Sequence, residues 1–210
     1  TEYLPIIGRV QHGWEPTLSK AMAALSDSDL DRVYAWSEAA IARSERPPDM
    51  QVVPVGAPYL YLDSSSDPGP FFPGGLLVVP QHSIANTRID DDSWAPALDA
   101  FARLVGTRRF DPVTVMLHGE DDTPALRLRV RDYGFRAASC GNSGDVAFLY
   151  RVRAVIRRHR AVASNAVCTA ALYALYENRE VYLTGFDTLR FPPNSDLHLD
   201  TVSNEAWVAV

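Results

Sequence analysis

The chain has 210 residues, 47% of them hydrophobic and 22% charged, which is ordinary globular usage and enough length to bury a substantial core. A net charge of -6 and an isoelectric point near 5.3 argue against nucleic acid as a partner, because neutralising phosphates needs a clustered excess of Lys and Arg. Two cysteines, Cys140 and Cys168, are too few for a disulfide framework, so buried thiols in a reducing, cytoplasmic compartment are expected. No apolar run of about 18 residues is present to span a bilayer, and residues 1–10 lack the basic stretch and apolar core of a signal peptide. The missing initial Met and the apolar end at Trp207-Val208-Ala209-Val210 lead us to expect a piece of a longer protein.

In chain order, residues 4–10 suit a strand or a strand end, followed by a loop at Gln11-His12-Gly13-Trp14. Val33-Tyr34-Ala35-Trp36 suits a short buried strand. Ser37 caps a helix that Arg46-Pro47-Pro48 must end, since two prolines cannot continue it. Val52-Val53-Pro54-Val55-Gly56 is a further strand, and Pro68-Gly69-Pro70 and Pro73-Gly74-Gly75 mark a loop. Leu76-Leu77-Val78-Val79-Pro80 is apolar throughout, the mark of a strand buried on both faces. Then follow a helix over 94–105, a buried strand over 113–117, and a helix over 124–132 with Gly134 as its C-terminal cap. A weaker strand covers 136–140. A helix over 145–159 aligns Val146, Leu149, Val152, Val155 and Ile156 on one face. A strand at 161–164, an apolar helix over 166–176 and a strand at 181–185 complete the series, and the residues after Gly185 show no pattern. This alternation predicts right-handed βαβ units on a Rossmann-like, mostly parallel α/β sheet.

In such sheets ligands bind beyond the carboxyl ends of the strands, so the residues that follow each strand are the candidates. Three of the five histidines fall there: His12, His82 (followed by Ser83) and His118 (in His118-Gly119-Glu120-Asp121). Each has a plain alternative: a turn for His12, a cap for His82 and Ser83, a polar helix entry for the acids after His118. The functional alternative for His118 is an imidazole that donates to phosphate or acts as a base near neutral pH. Ser164-Asn165 ends a strand and opens a helix, where a hydroxyl and helix N–H groups would suit a phosphate; a plain N-cap is the alternative. Gly141-Asn142-Ser143-Gly144-Asp145 is a tight turn or a weak anion cradle, with neither a Walker pattern nor a dinucleotide fingerprint. Arg151, Arg153, Arg157, Arg158 and Arg160 crowd one segment; a solvated face is expected, with phosphate or peripheral membrane contact as the alternative. No spacing suggests a metal site, and no serine-hydrolase elbow is present.

Taken together, Gln11-His12-Gly13, Trp36-Ser37, Val55-Gly56-Ala57-Pro58-Tyr59, Val79-Pro80-Gln81-His82-Ser83, Leu117-His118-Gly119-Glu120-Asp121 and Ser164-Asn165 resemble glycosyltransferases of the GT-B type. The likeness is greatest to bacterial enzymes that build capsule, lipopolysaccharide or wall polymers, including polysialyltransferase-like proteins. The resemblance implies that residues 1–46 are the remnant of an acceptor-side domain and residues 47–210 a nucleotide-donor domain. It also implies His12 as the base that deprotonates the acceptor hydroxyl. By the same resemblance, His82, Ser83, His118, Glu120, Ser164 and Asn165 form the donor and phosphate site. The implied reaction transfers a sugar from a nucleotide sugar to a glycan or small-molecule acceptor, inverting, without metal or other cofactor. Two places depart from the pattern. Retaining members open the last helix on Glu, where this chain has Asn165-Ala166-Val167, and wall-polymer enzymes carry His-Pro where it has His118-Gly119. A nucleotide-sugar epimerase or hydrolase on the same fold, and a non-catalytic nucleotide-sugar-binding domain, are the alternatives.

Overall fold

A computed structural model describes residues 9–10, 32–42, 51–63, 69–83 and 88–185. It divides into two compact units, Thr1–Ser65 and Ser66–Val210.

In the first unit three short strands, β1 (Arg9–Val10), β2 (Arg32–Ala35) and β3 (Gln51–Pro54), pair in parallel in that order. Val33 and Ala35 are buried while Arg32 is exposed and Tyr34 half-buried, the period-two alternation of a strand with one covered face. Helix α1 (Glu38–Ala42) follows β2 at the predicted place, with Ile41 N–H bonded to Ser37 O at 3.3 Å. After β3, Gly56 takes a φ of +79°, which only a residue without Cβ adopts readily, and a 3-10 turn at Pro58–Tyr61 buries Tyr59. The Gln11-His12-Gly13 loop and Arg46-Pro47-Pro48 lie outside the described residues.

The second unit carries a five-stranded parallel sheet of order β6-β5-β4-β7-β8. The strands are β4 (Phe72–Val78), β5 (Val113–Leu117), β6 (Arg136–Ser139), β7 (His159–Ser164) and β8 (Glu180–Leu183). Between them run α2 (Trp94–Arg108), α3 (Pro124–Asp132), α4 (Phe148–Arg158) and α5 (Thr169–Tyr176). The chain builds outward from β4 through β5 to β6, then returns to lay β7 on the other side of β4. The two faces of the sheet are therefore covered by different helices. Leu76, Val78, Val113, Val115, Leu117, Ala161 and Ala163 pack with Trp94, Leu98 and Phe101 of α2 and Leu126 and Val130 of α3. Helix α4 instead packs on β4 and β7, and α5 on β7 and β8. Among the described residues no helix is long and apolar enough to cross a membrane.

Several expected boundaries move, each for a local reason. Pro73-Gly74-Gly75 belongs to β4, not to a loop: the register shifts between Phe72 and Leu76, and the glycines fill that irregularity. A Cβ on Gly74 would stand 2.8 Å from Asp111 O, and one on Gly75 2.7 Å from Phe72 Cβ. Helix α4 begins at Phe148, so Val146 is not on its apolar face and is 95% exposed. Asp145 ends the preceding turn by accepting from Ala147 N–H at 2.9 Å. Helix α5 begins at Thr169, not at Ala166, and the three residues 166–168 separate it from Ser164 and Asn165. The arginines do not all lie on a solvated face. Arg153 is buried and, with Arg157, holds Glu177; Arg151 pairs with Asp145, and Arg160, in β7, with Glu180.

His159 opens β7 instead of closing the helix, and it is buried at the opposite end of that strand from Ser164. Its Nδ1–H donates to Val155 O at 2.8 Å, and Nε2 accepts from the Thr114 hydroxyl at 3.0 Å. Burial lowers its pKa below the ordinary value of 6.5; the charges of Arg158 and Arg136 push the same way, against the Val155 bond. Near that pH the unfolded chain therefore binds a proton that the folded one refuses. Stability is full above about pH 7 and falls as the pH drops below 6.5, with a slope of at most about 1.4 kcal/mol per pH unit. Urea unfolding at pH 7.5 and 5.5 should show this loss in the native protein and much less of it in His159→Gln. Equal losses in both would place its origin elsewhere.

Candidate functional site

Because the chain runs from β4 toward β6 on one side and to β7 and β8 on the other, the order reverses between β4 and β7. In open parallel sheets that reversal leaves a crevice beyond the carboxyl ends, where ligands bind. Here β4 runs into Pro80-Gln81-His82-Ser83, β5 into His118-Gly119-Glu120-Asp121, and β7 ends on Ser164 before Asn165. Six residues expected to hold the donor, His82, Ser83, His118, Glu120, Ser164 and Asn165, thus meet at one edge of the second unit. His12 lies outside the described residues.

The six do not play equivalent parts. His82 is exposed and His118 half-buried, and their rings stack with centroids 4.1 Å apart and planes 14° from parallel. Each ring is oriented by its own loop, and in opposite senses. His82 Nδ1 lies 2.7 Å from Ser83 O, and a carbonyl can only accept, so Nδ1 carries the proton and Nε2 is the acceptor of the neutral ring. His118 Nδ1 instead accepts from Glu120 N–H at 3.3 Å, which puts the neutral ring's proton on Nε2. In the neutral rings, Nε2 is thus the protonated nitrogen of His118 and the unprotonated nitrogen of His82.

Ser83 and Ser164 are fully buried, and Asn165 is 3% exposed, so none of these three offers surface to a ligand. They tie the strand ends together. Ser83 donates N–H at 2.8 Å and its hydroxyl to the two oxygens of Asp121, and its Oγ accepts from Ile89 N–H at 2.8 Å. Asn165 Oδ1 accepts from Gln81 N–H at 2.7 Å across the switch point, which fastens the β4 end to the β7 end. Its Nδ2 is buried with no acceptor among the described residues. Ser164 Oγ accepts from Ala166 N–H at 3.3 Å and lies 3.5 Å from Cys168 Sγ, a local turn that replaces the helix cap expected there. Glu120 is exposed, and a carboxylate there can accept from hydroxyl donors.

Asp121 is the residue that sequence reasoning passed over. It is 8% exposed and, by binding Ser83 twice, joins the loop carrying His82 to the loop carrying His118. The available signal was an acid directly after a strand-end turn, but Glu120 and Asp121 are both such acids. Only the turn itself, closed by Asp121 N–H on His118 O at 2.9 Å, decides which of them faces inward. The Gly141–Asp145 segment is a plain turn. Gly141 has a φ of +76°, and the N–H groups of Gly144 and Ala147 are taken by Asn142 and Asp145. Arg151 pins it, donating to Cys140 O at 2.7 Å and pairing with Asp145 at 2.9 Å. Burial pushes the Cys140 thiol up to about 11, against the pull of Arg151, so it is inert toward exchange. Among the described residues no group of three His, Cys, Asp or Glu is placed to hold a metal ion. No family model matches the chain, and neither a curated protein nor a solved structure matches it.

Proposed function

We propose that the second unit binds the nucleotide-activated sugar of a glycosyltransferase, with the diphosphate at the carboxyl ends of β4, β5 and β7. One observation carries this reading: the stacked His82–His118 pair, with a donor and an acceptor nitrogen, stands at the edge where the strand order reverses. The histidines are the groups that touch the leaving phosphate, and Glu120 suits the ribose or sugar hydroxyls. Ser83, Asp121, Ser164 and Asn165 hold the strand ends that present them. The likeness of the sequence to GT-B enzymes supplies the rest. His12 acts as the base on the acceptor hydroxyl, the sugar is transferred with inversion and without metal, and the acceptor is a glycan or small molecule. The cytoplasm is the proposed location, and both cysteines are free thiols.

The test is a thermal-shift panel of CMP, CDP, UDP, GDP and TDP. A ligand that binds only the folded state at a hundred times its Kd adds about 2.7 kcal/mol, so at least one nucleotide should raise the melting temperature clearly. His118→Ala should weaken that nucleotide by about 1–3 kcal/mol, the cost of a hydrogen bond to a charged group. No shift from any of the five sinks the donor reading. Binding without transfer to any acceptor, and without hydrolysis or epimerisation of the nucleotide sugar, would leave a binding domain in its place.

A further inference from the structure

Resting on that donor reading, we propose that the His82–His118 stack takes up one proton when it binds the phosphate end of its ligand, and that Nε2 of His82 is the atom that gains it. His82 Nδ1 already carries a proton to Ser83 O in either charge state, so only Nε2 of that ring can change. His118 is the wrong place for the new proton. Protonating its Nδ1 would set two donors, that N–H and Glu120 N–H, against each other. A second proton would set two positive charges against each other in rings stacked at 4.1 Å, so uptake stops at one.

The surroundings make that charge useful. On the β4 side stand neutral Gln81 and Ser83, and exposed Arg88 lies next to Ile89. On the β5 side, Glu120 is exposed, Asp121 is bound twice by Ser83, and Asp122 is paired with Arg127. From the β6 end, Asp145 and Arg151 are paired with each other, and the β7 end brings Ser164 and Asn165, which carry no charge. A phosphate reaching this edge meets the Glu120 carboxylate beside the stacked rings, and a proton on His82 turns that balance in its favour. The site is thus an anion receptor whose affinity rises as the pH falls.

Calorimetric titration with UDP-glucose and GDP-mannose, whose diphosphate diesters keep their charge between pH 8 and 6, tests this, with sodium sulfate as an anion lacking a base. The expected result is an affinity that rises at least about fivefold from pH 8 to pH 6, with about one proton taken up in buffers of different ionisation enthalpy. His82→Gln should bind with an affinity that no longer depends on pH. Nitrogen NMR of the native protein gives a second readout: His82 should be the Nδ1–H tautomer when free and gain an Nε2–H when bound. Binding without pH dependence, or with the native dependence kept in His82→Gln, overturns the proposal and spares the donor reading. Sulfate binding with proton uptake but no binding of either nucleotide sugar upholds the receptor and overturns the donor reading. Failure of all three ligands to bind overturns both.

Discussion

Glu177→Gln should destabilise the second unit by about 3 kcal/mol, lowering its melting temperature by roughly 10 °C, although Glu177 lies on the far side of α5 from any expected site residue. Its two oxygens accept from Arg153 Nε at 2.8 Å and Arg157 Nε at 2.7 Å, two arginines one turn apart on α4. The side chains of Glu177 and Arg153 are 9% and 7% exposed, so solvent screens this pair little. Burial works against the Glu177 carboxylate, but the two guanidinium bonds outweigh it and leave its pKa below the ordinary range. The residue also caps α5, its N–H bonded to Tyr173 O at 3.0 Å. A carboxylate at a helix C-terminus is disfavoured by the helix dipole, and the two cations beside it reverse that sign. Glutamine keeps the size and loses the charge, which strands a buried guanidinium without its counter-ion. Arg160→Ala is the internal control: its pair with Glu180 is about half exposed on both sides, so little measurable change is expected. Urea unfolding followed by circular dichroism reads both. Equal, small effects would show that the Glu177 pairs contribute no more than a surface bridge.

Those arginines illustrate what a sequence withholds. Leu76-Leu77-Val78 and Val113–Leu117 were legible as buried strands because a continuous apolar run bounded by turn residues has few other homes. Pro124–Asp132 was legible because proline at its first turn, with Thr123 accepting from Leu126 N–H, and Gly134 beyond its end punctuate it on both sides. The arginines carry no comparable signal. Whether a cation on an amphipathic helix is solvated or buried depends on a partner such as Glu177, supplied from 20 to 24 residues away. Local chemistry also misled at the helix starts. Asp145 and Ser164 are good N-cap residues, yet each spends its side chain in a turn before the helix begins. At Pro73-Gly74-Gly75 composition pointed to a loop, while close approach of the Asp111 backbone required glycine inside a strand.

The edge where the strands end was legible in outline, because βαβ alternation sends every strand's carboxyl end to the same side. Which residues there face outward was not, since that depends on pairing across loops. Ser83, Ser164 and Asn165 have the right chemistry for a phosphate but give their hydrogen bonds to neighbouring chain segments. The result is two tiers: a stacked pair of imidazoles, exposed at His82 and half-buried at His118, and an interior set of polar residues that fixes the loops holding them. The second tier is where a substitution should reach the ligand indirectly.

Asp121→Ala tests that arrangement and is expected to cost about 2–4 kcal/mol of stability while also weakening nucleotide binding. Removing the carboxylate leaves the Ser83 N–H and hydroxyl buried without their acceptor, at about 1–3 kcal/mol for each such group. Asp121→Asn should be little better, since its carboxamide can accept from one Ser83 donor only by turning its NH2 group toward the other. Lost stability alone would not distinguish a positioning residue from an ordinary interior one. Glu177→Gln supplies the match: it should lose a similar amount of stability on the α4–α5 side and keep native nucleotide affinity. Measured at 10 °C, where both variants are folded, Asp121→Ala should bind the best nucleotide of the panel about tenfold more weakly than Glu177→Gln does. Its histidine NMR should show the His82 ring losing the fixed Nδ1–H tautomer, because the Ser83 carbonyl that sets it is no longer anchored. Ser83→Ala combined with Asp121→Ala should cost less than the sum of the two single changes, as contact between the pair requires. Equal affinities in the two stability-matched variants would mean that the strand-end loops hold the imidazoles without Asp121, and that its bonds to Ser83 serve the fold alone.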